Sequence, residues 1–332
     1  MRGRRPRSQA GGRRPRSQAG GRRPRSRAGG RALLALLALV AGCGHPEPDP
    51  RYRPTESVLE AVAVLHRHVA DDTYRFPPAQ DYTGRNVYRA TLIRLENLER
   101  AYAPALESGV LDDVIAFAKG RALERLRAFE LAATSYRRAA ERPGELRAEA
   151  ERSAALCDAL AGARRLGESP PGADLPARLA ALDVSSARLA ELLAQAGATH
   201  YRAIVQEEAE HAQVARAQLL VAARLFEPEG DLRALGALQQ LVVEHRDSKR
   251  ANDHLINLAD LYATLAHEYV DAHPPASLEF DPPRFEELVD SAARLYGSVA
   301  NQDGAPEKLE AGQKLEAFIA FTLRVDRDRF SP

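Results

Sequence analysis

Apolar residues recur every three or four positions along most of the chain beyond residue 54. One stripe of this kind is Tyr88, Leu92, Leu95 and Tyr102, and a longer one is Tyr201, Val205, Ala212, Leu219 and Phe226. This spacing is typical of amphipathic α-helices, whereas no stretch shows the alternation of β-branched residues that marks a strand. The pattern therefore predicts an all-α fold.

Proline and glycine residues divide this helical region into segments. The two stripes are predicted to end before Pro104 and Pro228, and other breaks fall at residues 77–78, 143–144, 170–172, 227–230, 274–275, 282–283 and 303–306. These breaks divide residues 55–326 into ten or eleven helices. The short connections imply that successive helices form antiparallel pairs, either in an α-solenoid or in an irregular helical array.

A short apolar segment, residues 32–40, precedes the helical region and is followed by Ala41, Gly42 and Cys43. A helix of that length reaches only about half way across the hydrocarbon core of a bilayer. The tetrapeptide that ends at Cys43 resembles the lipobox of bacterial lipoprotein signal peptides. The resemblance implies cleavage before Cys43 and a lipid anchor, with palmitate, on that residue. Ordinary secretion with cleavage nearby is the alternative.

Removal of residues 1–42 changes the charge of the chain. That segment holds twelve arginines and no acidic residue, and its repeat over residues 3–29 has too few apolar side chains to form a core. The remaining chain has 35 basic and 46 acidic residues, a net charge of −11. Such a chain is repelled by nucleic acid and by anionic headgroups. We therefore expect no nucleic-acid partner, and a membrane attachment that depends on the lipid on Cys43.

Composition predicts five segments along the chain. Residues 1–42 form an Arg-rich n-region and signal peptide, and residues 43–54 contain the lipidated cysteine and a proline-rich spacer. Two helical lobes are predicted over residues 55–166 and 177–332. The Pro/Gly stretch at residues 167–176 links them.

Small and aromatic residues within the helices match a known repeat. The packing positions of the tetratricopeptide repeat (TPR) are matched in spacing by Gly120, Leu123, Ala132, Tyr136 and Ala139, and more weakly by Leu258, Ala259 and Tyr262. Departures occur at Ala116 and Lys119, where the family has tryptophan and leucine. Asp247-Ser248 is predicted to cap the helix that carries the second match. The alternative is an irregular bundle in which these spacings arise by chance.

The lipobox and the TPR-like segments together resemble the TPR lipoproteins of the bacterial outer membrane, including those that help to assemble outer-membrane β-barrels. The resemblance implies an α-solenoid whose concave face binds peptides or a partner protein of the cell envelope. The residue after the cysteine is Gly44 and not aspartate. In this the chain resembles lipoproteins that are sorted to the outer membrane. We therefore expect a lipid-anchored protein that faces the periplasm.

Few residues carry a chemical signature. Glu208 and His211 have the Glu-x-x-His spacing of di-iron bundles, but no second such pair exists, so we expect a solvated helix face here. Cys157 lies in an apolar stripe and is predicted to be a small buried hydrophobe. No nucleophile elbow, phosphate-binding loop or zinc-type cysteine pair occurs. We therefore predict no catalytic residue, no metal site and no cofactor.

Arg85 and Arg89 are the candidate partner-binding residues, because they lie in a cation-rich segment near Tyr82 that suits an acidic peptide or a glycan. A solvated face is the alternative, since arginine is abundant throughout the chain. The sequence thus predicts a lipid-anchored periplasmic scaffold for protein–protein interaction, without catalysis. A lipoprotein that binds a small envelope ligand or glycan is the alternative, and a metal-dependent enzyme that uses Glu208 and His211 is a remote one.

Overall fold

The computed structural model of the protein describes residues 53–70, 86–106 and 111–330. Within these ranges the chain forms eleven α-helices and no β-strand, which confirms the all-α prediction. The helices are α1 (Pro54–Ala70), α2 (Val87–Leu106), α3 (Asp112–Arg125), α4 (Phe129–Ala140), α5 (Arg147–Leu166), α6 (Leu175–Ala196), α7 (Tyr201–Ala223), α8 (Gly230–Glu244), α9 (Ala251–Ala272), α10 (Pro282–Ala300) and α11 (Lys308–Phe330). None of these described helices combines the length and the apolar content needed to cross a bilayer.

Each helix packs mainly against its neighbours in the chain. Contacts run in order from α1 to α11, and second neighbours meet at α1–α3, α5–α7 and α9–α11. The buried apolar side chains accordingly fall into successive clusters along the array. Helical arrays have this pattern because each unit covers the apolar face of the unit before it. The fold is therefore an array of neighbouring helix pairs.

The α3–α4 pair packs a glycine against an aromatic ring. A Cβ atom on Gly120 would lie 2.7 Å from Cδ1 of Tyr136, so only glycine leaves room for this ring. Tyr136 is fully buried, and its ring meets that of Phe117 edge to face, with 5.2 Å between centroids. The same pair also buries, wholly or in part, Leu123, Ala132 and Ala139. These small and aromatic side chains set the separation of the two helices.

Two helix ends differ from the sequence prediction. Helix α2 continues past Pro104 to Leu106, with a kink at Tyr102 (φ −124°, ψ 24°), because a proline ring displaces the turn that precedes it without ending the helix. Phe226, predicted as the last residue of an apolar stripe, lies in a 3₁₀ turn and is 85% exposed. The buried stripe therefore ends with α7. The predicted break at residues 77–78 lies outside the described residues.

The turn between α3 and α4 contains neither proline nor glycine. Arg127 has φ 59°, its N–H donates to the Glu124 carbonyl, and the N–H of Ala128 donates to the Leu123 carbonyl. This is the Schellman ending of a helix, in which glycine usually occupies the left-handed position. Arginine there costs about 1 kcal/mol relative to glycine. The contacts of the Arg127 side chain must offset that cost.

Candidate binding groove

A cavity of about 720 Å³ lies between helices that are distant in the sequence. Its walls come from the start of α2, from the end of α3 and the turn after it, from α5, α6 and α7, and from the start of α9. Its apolar wall residues include Leu160, Leu182, Leu189 and Val214. Its charged wall residues are Arg125, Arg127, Arg164, Glu168, Glu207, Glu208, Lys249, Arg250 and Asp253. This main cavity thus carries five cations and four carboxylates.

A second cavity of about 550 Å³ adjoins the first. The two share Arg125, Glu207, Lys249 and Arg250, which form the border between them. The second cavity extends along the other end of the α6–α7 pair and under the turn that precedes α9. We refer to the two cavities together as the groove. Charged side chains of both signs, on an apolar base, are typical of a binding surface.

Arg127 links the α3–α4 turn to the middle of α7. Its Nε donates to Oε1 of Glu208 at 2.6 Å, and its Nη2 donates to Oε2 at 2.8 Å. The Arg127 carbonyl accepts a hydrogen bond from Nη1 of Arg164 at 3.1 Å. A bidentate pair of this kind is both short and directional. The side chain therefore accounts for an arginine at a backbone position that favours glycine.

The structure corrects the expectation for Glu208 and His211. Glu208 is buried rather than solvated, because α7 turns this face toward the α3–α4 turn. Both of its carboxylate oxygens accept from Arg127, so neither is free to ligate a metal. Within the described part of the chain, no group of three or more His, Cys, Asp or Glu side chains converges on a metal-sized site. The neighbouring Glu207 contacts Arg125.

Arg125 and Arg250 have weaker contacts than Arg127. Nη1 of Arg125 lies 3.4 Å from Oε2 of Glu207, and its buried Nε has no hydrogen-bond partner. Nε of Arg250 lies 3.6 Å from Oδ2 of Asp253, and its Nη1 lies 3.3 Å from Nδ1 of His211. Charge-assisted hydrogen bonds are usually about 2.7–2.9 Å long. The two guanidinium groups at the border of the cavities therefore retain donors that are poorly satisfied.

The histidine beside these arginines is held in its neutral form. Burial is the main cause that lowers the pKa of His211, and the positive charges of Arg127 and Arg250 lower it further. A neutral ring can accept at Nδ1, which lies toward the Arg250 guanidinium. The carboxylates of Glu207 and Glu210 act in the opposite direction without reversing the shift.

The turn at residues 245–250 is fastened to α7 through buried polar groups. Oε1 of Glu210 accepts from Oγ of Ser248 at 2.7 Å and lies 2.6 Å from Nε2 of His254, which is fully buried. Desolvation opposes ionisation of Glu210, but these two hydrogen bonds outweigh it and lower its pKa. The turn carries Lys249 and Arg250 into the groove. Residues 247–248 do not cap α9 directly, which is a correction: the N-cap position is Arg250, whose N–H donates to Ser248.

One of the two candidate partner-binding arginines, Arg89, does not line the groove. Arg85 lies outside the described residues, and Arg89 is exposed and is absent from the walls of both cavities. Two of its neighbours, Asn86 and Tyr88, do line the main cavity. Tyr88 lines the cavity and Arg89 does not, because successive residues of a helix point in different directions.

A buried polar cluster lies beneath the α3–α4–α5 helices. The Glu124 carboxylate is fully buried and accepts from the Tyr136 hydroxyl at 3.1 Å, with Nη1 of Arg121 at 3.4 Å and Sγ of Cys157 at 3.8 Å. Burial, with the Glu124 charge as a further cause, raises the pKa values of Tyr136 and Cys157. The cysteine is a free and buried thiol. None of these four groups lines either cavity of the groove.

The residues of the second TPR-like match lie on α9, where Leu258 and Ala259 are buried and Tyr262 is partly buried. The Tyr262 hydroxyl accepts from Nε2 of Gln239 on α8 at 2.8 Å.

Comparison with known proteins gives no matching family model and no significantly similar curated protein. The groove geometry is therefore the basis on which function has to be argued.

Proposed function

We propose that this chain is a lipid-anchored helical-repeat scaffold of the bacterial cell envelope, which binds a partner protein in the groove and carries out no catalysis. The single observation that supports it most is the groove itself. Five separate parts of the array contribute charged side chains to one concave surface. The hydroxyl of Ser248 at the second cavity donates to Glu210, which is also bonded to the buried His254, so this contact serves to fasten the turn to α7.

A protein segment suits the groove because the groove is two joined cavities rather than one closed pocket. A single site for a small molecule usually has a volume of about 300–1,000 Å³ and is mostly apolar. The main cavity, about 720 Å³, falls in this range, but its walls carry nine charged residues and it continues into the second cavity. An extended chain can contact both cavities at once.

The anchor and the location are part of the proposal. The lipobox resemblance favours a lipid on Cys43, a residue outside those described, and the spacer up to residue 54 would separate the array from the bilayer. Gly44 favours the outer membrane, with the array in the periplasm. The predicted net charge of −11 makes nucleic acid an unfavourable partner.

A photo-crosslinking experiment tests the proposal. A photoreactive amino acid replaces Gln218, an exposed residue of the main-cavity wall, in the full chain within native membranes. The matched control replaces Thr134, which is exposed on α4 and lines neither cavity. The scaffold function predicts one recurrent crosslinked envelope protein from position 218 and none from position 134, with loss of that product in Cys43→Ser.

A second function has one observation in its favour: the volume of the main cavity alone fits a small envelope ligand or glycan. In that case position 218 gives no recurrent protein product. An extract of small envelope molecules would instead raise the melting temperature of the wild type by mass action. Identical products from positions 218 and 134 would contradict both functions.

A further inference from the structure

We propose that the groove recognises an extended acidic segment of its partner, in which two carboxylates two residues apart bind Arg125 and Arg250. This inference rests on the proposed scaffold function and specifies its ligand. Its basis is the incomplete hydrogen bonding of these two guanidinium groups at the border of the cavities.

Arg125 is the first anchor. Its side chain is only 14% exposed, yet its one contact in the groove is the 3.4 Å approach to Glu207, and its Nε is buried without a partner. The Nε is enclosed, so a ligand carboxylate would replace the long Glu207 contact at Nη1 with a shorter one. A guanidinium fork presents paired N–H groups that match the two oxygens of a carboxylate.

Arg250 is the second anchor, and the residue that it contacts on α7 lies one helical turn from the residue that Arg125 contacts. Arg125 contacts Glu207, whereas Arg250 contacts His211, four residues further along the helix. Side chains at this spacing are separated by about 5–6 Å between Cβ atoms. Alternate residues of an extended chain are separated by about 6.6–6.8 Å and point to the same side. A Glu-x-Glu or Asp-x-Asp sequence in extended conformation therefore matches the two arginines.

Glu207 occupies the position of a ligand carboxylate when the groove is empty. Its side chain is 45% exposed and its bond to Arg125 is long, so it can move into solvent when a ligand carboxylate displaces it. Lys249, which lines both cavities, adds a third cation to this border. At about 0.15 M salt the screening length is about 8 Å, so acidic residues far from the groove have little effect here. Carboxylates also line both cavities, so the match depends on the donors of Arg125 and Arg250 and not on the net charge of the groove.

The test measures peptide binding to the full chain in detergent at about 0.15 M salt, by fluorescence anisotropy. The probe is a labelled Ser-Glu-Ser-Glu-Ser peptide. The matched peptides are Ser-Gln-Ser-Gln-Ser, which lacks the charges, and Ser-Glu-Glu-Ser-Ser, which has the same charge at another spacing. We expect the Glu-x-Glu peptide to bind about tenfold more tightly than either, a difference of about 1.4 kcal/mol.

Variants assign the binding to the two arginines. Arg125→Gln and Arg250→Gln should each lower the affinity for the Glu-x-Glu peptide about tenfold, because each substitution removes one charge-assisted pair. Glu207→Gln should strengthen it several-fold, since the internal competitor is gone. The controls are Arg188→Gln and Glu191→Gln, which remove an exposed ion pair of α6 outside the cavity walls and should change binding less than twofold.

The outcomes separate this inference from the scaffold function. Equal binding of the three peptides, or unchanged binding in both arginine variants, overturns the acidic-segment inference. If the crosslinked partner from position 218 persists in those variants, the scaffold function stands without it. Tighter binding of citrate than of the peptide would assign the carboxylates to a small molecule and overturn the inference as well. Should Arg125→Gln unfold, as judged by circular dichroism, the more exposed Arg250 and Glu207 decide the test.

Discussion

The Arg127–Glu208 pair gives a prediction in which the effect of one substitution on the free energy of unfolding changes sign when Glu208 is also replaced. Glu208 is 7% exposed in its side chain and Arg127 is 40% exposed, so the pair lies between a surface pair and a buried one. A surface pair contributes up to about 1 kcal/mol, and breaking a fully buried one costs about 3–5 kcal/mol. Because the arginine is partly exposed, the value for a fully buried pair has to be reduced, and we expect a coupling energy of about 2 kcal/mol.

The backbone of Arg127 contributes in the opposite direction. Its φ of 59° favours glycine by about 1 kcal/mol. Arg127→Gly should therefore destabilise the wild type by about 1 kcal/mol, which is the loss of the pair less the gain from the relieved backbone. In the Glu208→Gln background the pair is already absent, so the same substitution should stabilise the chain by up to about 1 kcal/mol.

Urea unfolding of the wild type, both single variants and the double variant measures this coupling directly. The control is Arg147 with Glu151, an exposed pair on α5 with a 3.0 Å contact, for which we expect a coupling of less than about 0.5 kcal/mol. An equal cost of Arg127→Gly in both backgrounds would refute the reasoning. It would mean that the pair does not offset the left-handed backbone.

Three further outcomes follow from the same structure. Gly120→Ala should lower the free energy of unfolding in urea by about 1–2 kcal/mol, because its Cβ would overlap a buried ring. Gly162→Ala has open space around the new Cβ and should raise the free energy of unfolding by up to about 1 kcal/mol. Equal effects of the two substitutions would contradict this packing. In a Cys43→Ser chain, Cys157 should react with a thiol reagent only after unfolding, since burial raises its pKa; fast labelling of the native chain would disprove this. Since the folded pKa of His211 is lowered, the unfolded chain takes up that proton first, and stability should fall as the pH drops from about 7 to 5. His211→Gln should make that fall smaller, and an unchanged profile would count against the lowered pKa.

The sequence predicted the helices well where they are amphipathic and where proline or glycine ends them. The breaks at residues 143–144, 170–172 and 303–306 all separate helices in the structure. It missed the α3–α4 turn because Arg127 adopts a left-handed backbone without a glycine to signal it. Local propensity does not register a turn whose cost is offset by a contact with a residue 81 positions away.

The groove was less accessible to sequence reasoning. Arg125, Lys249 and Arg250 lie at a helix end and in a turn, and nothing local distinguishes them from the other cations of an arginine-rich chain. The Arg85–Arg89 segment drew attention by its local density, but only its neighbours Asn86 and Tyr88 face the main cavity. A high density of charged residues in the sequence does not predict which charged residues lie close together in the folded chain.

What the sequence alone determined is the all-α class, the position of most helix ends and the apolar face of each helix, because these depend on residues within a few positions of one another. The lipobox at Cys43 is local in the same sense and stays a prediction. Only the tertiary structure decided that Glu208 is buried against Arg127, and that Arg125, with an unsatisfied Nε, and Arg250, with long contacts, border one groove. Those features depend on the packing of helices far apart in the chain, and the free energy of a pair is set by its burial and geometry rather than by its spacing in sequence.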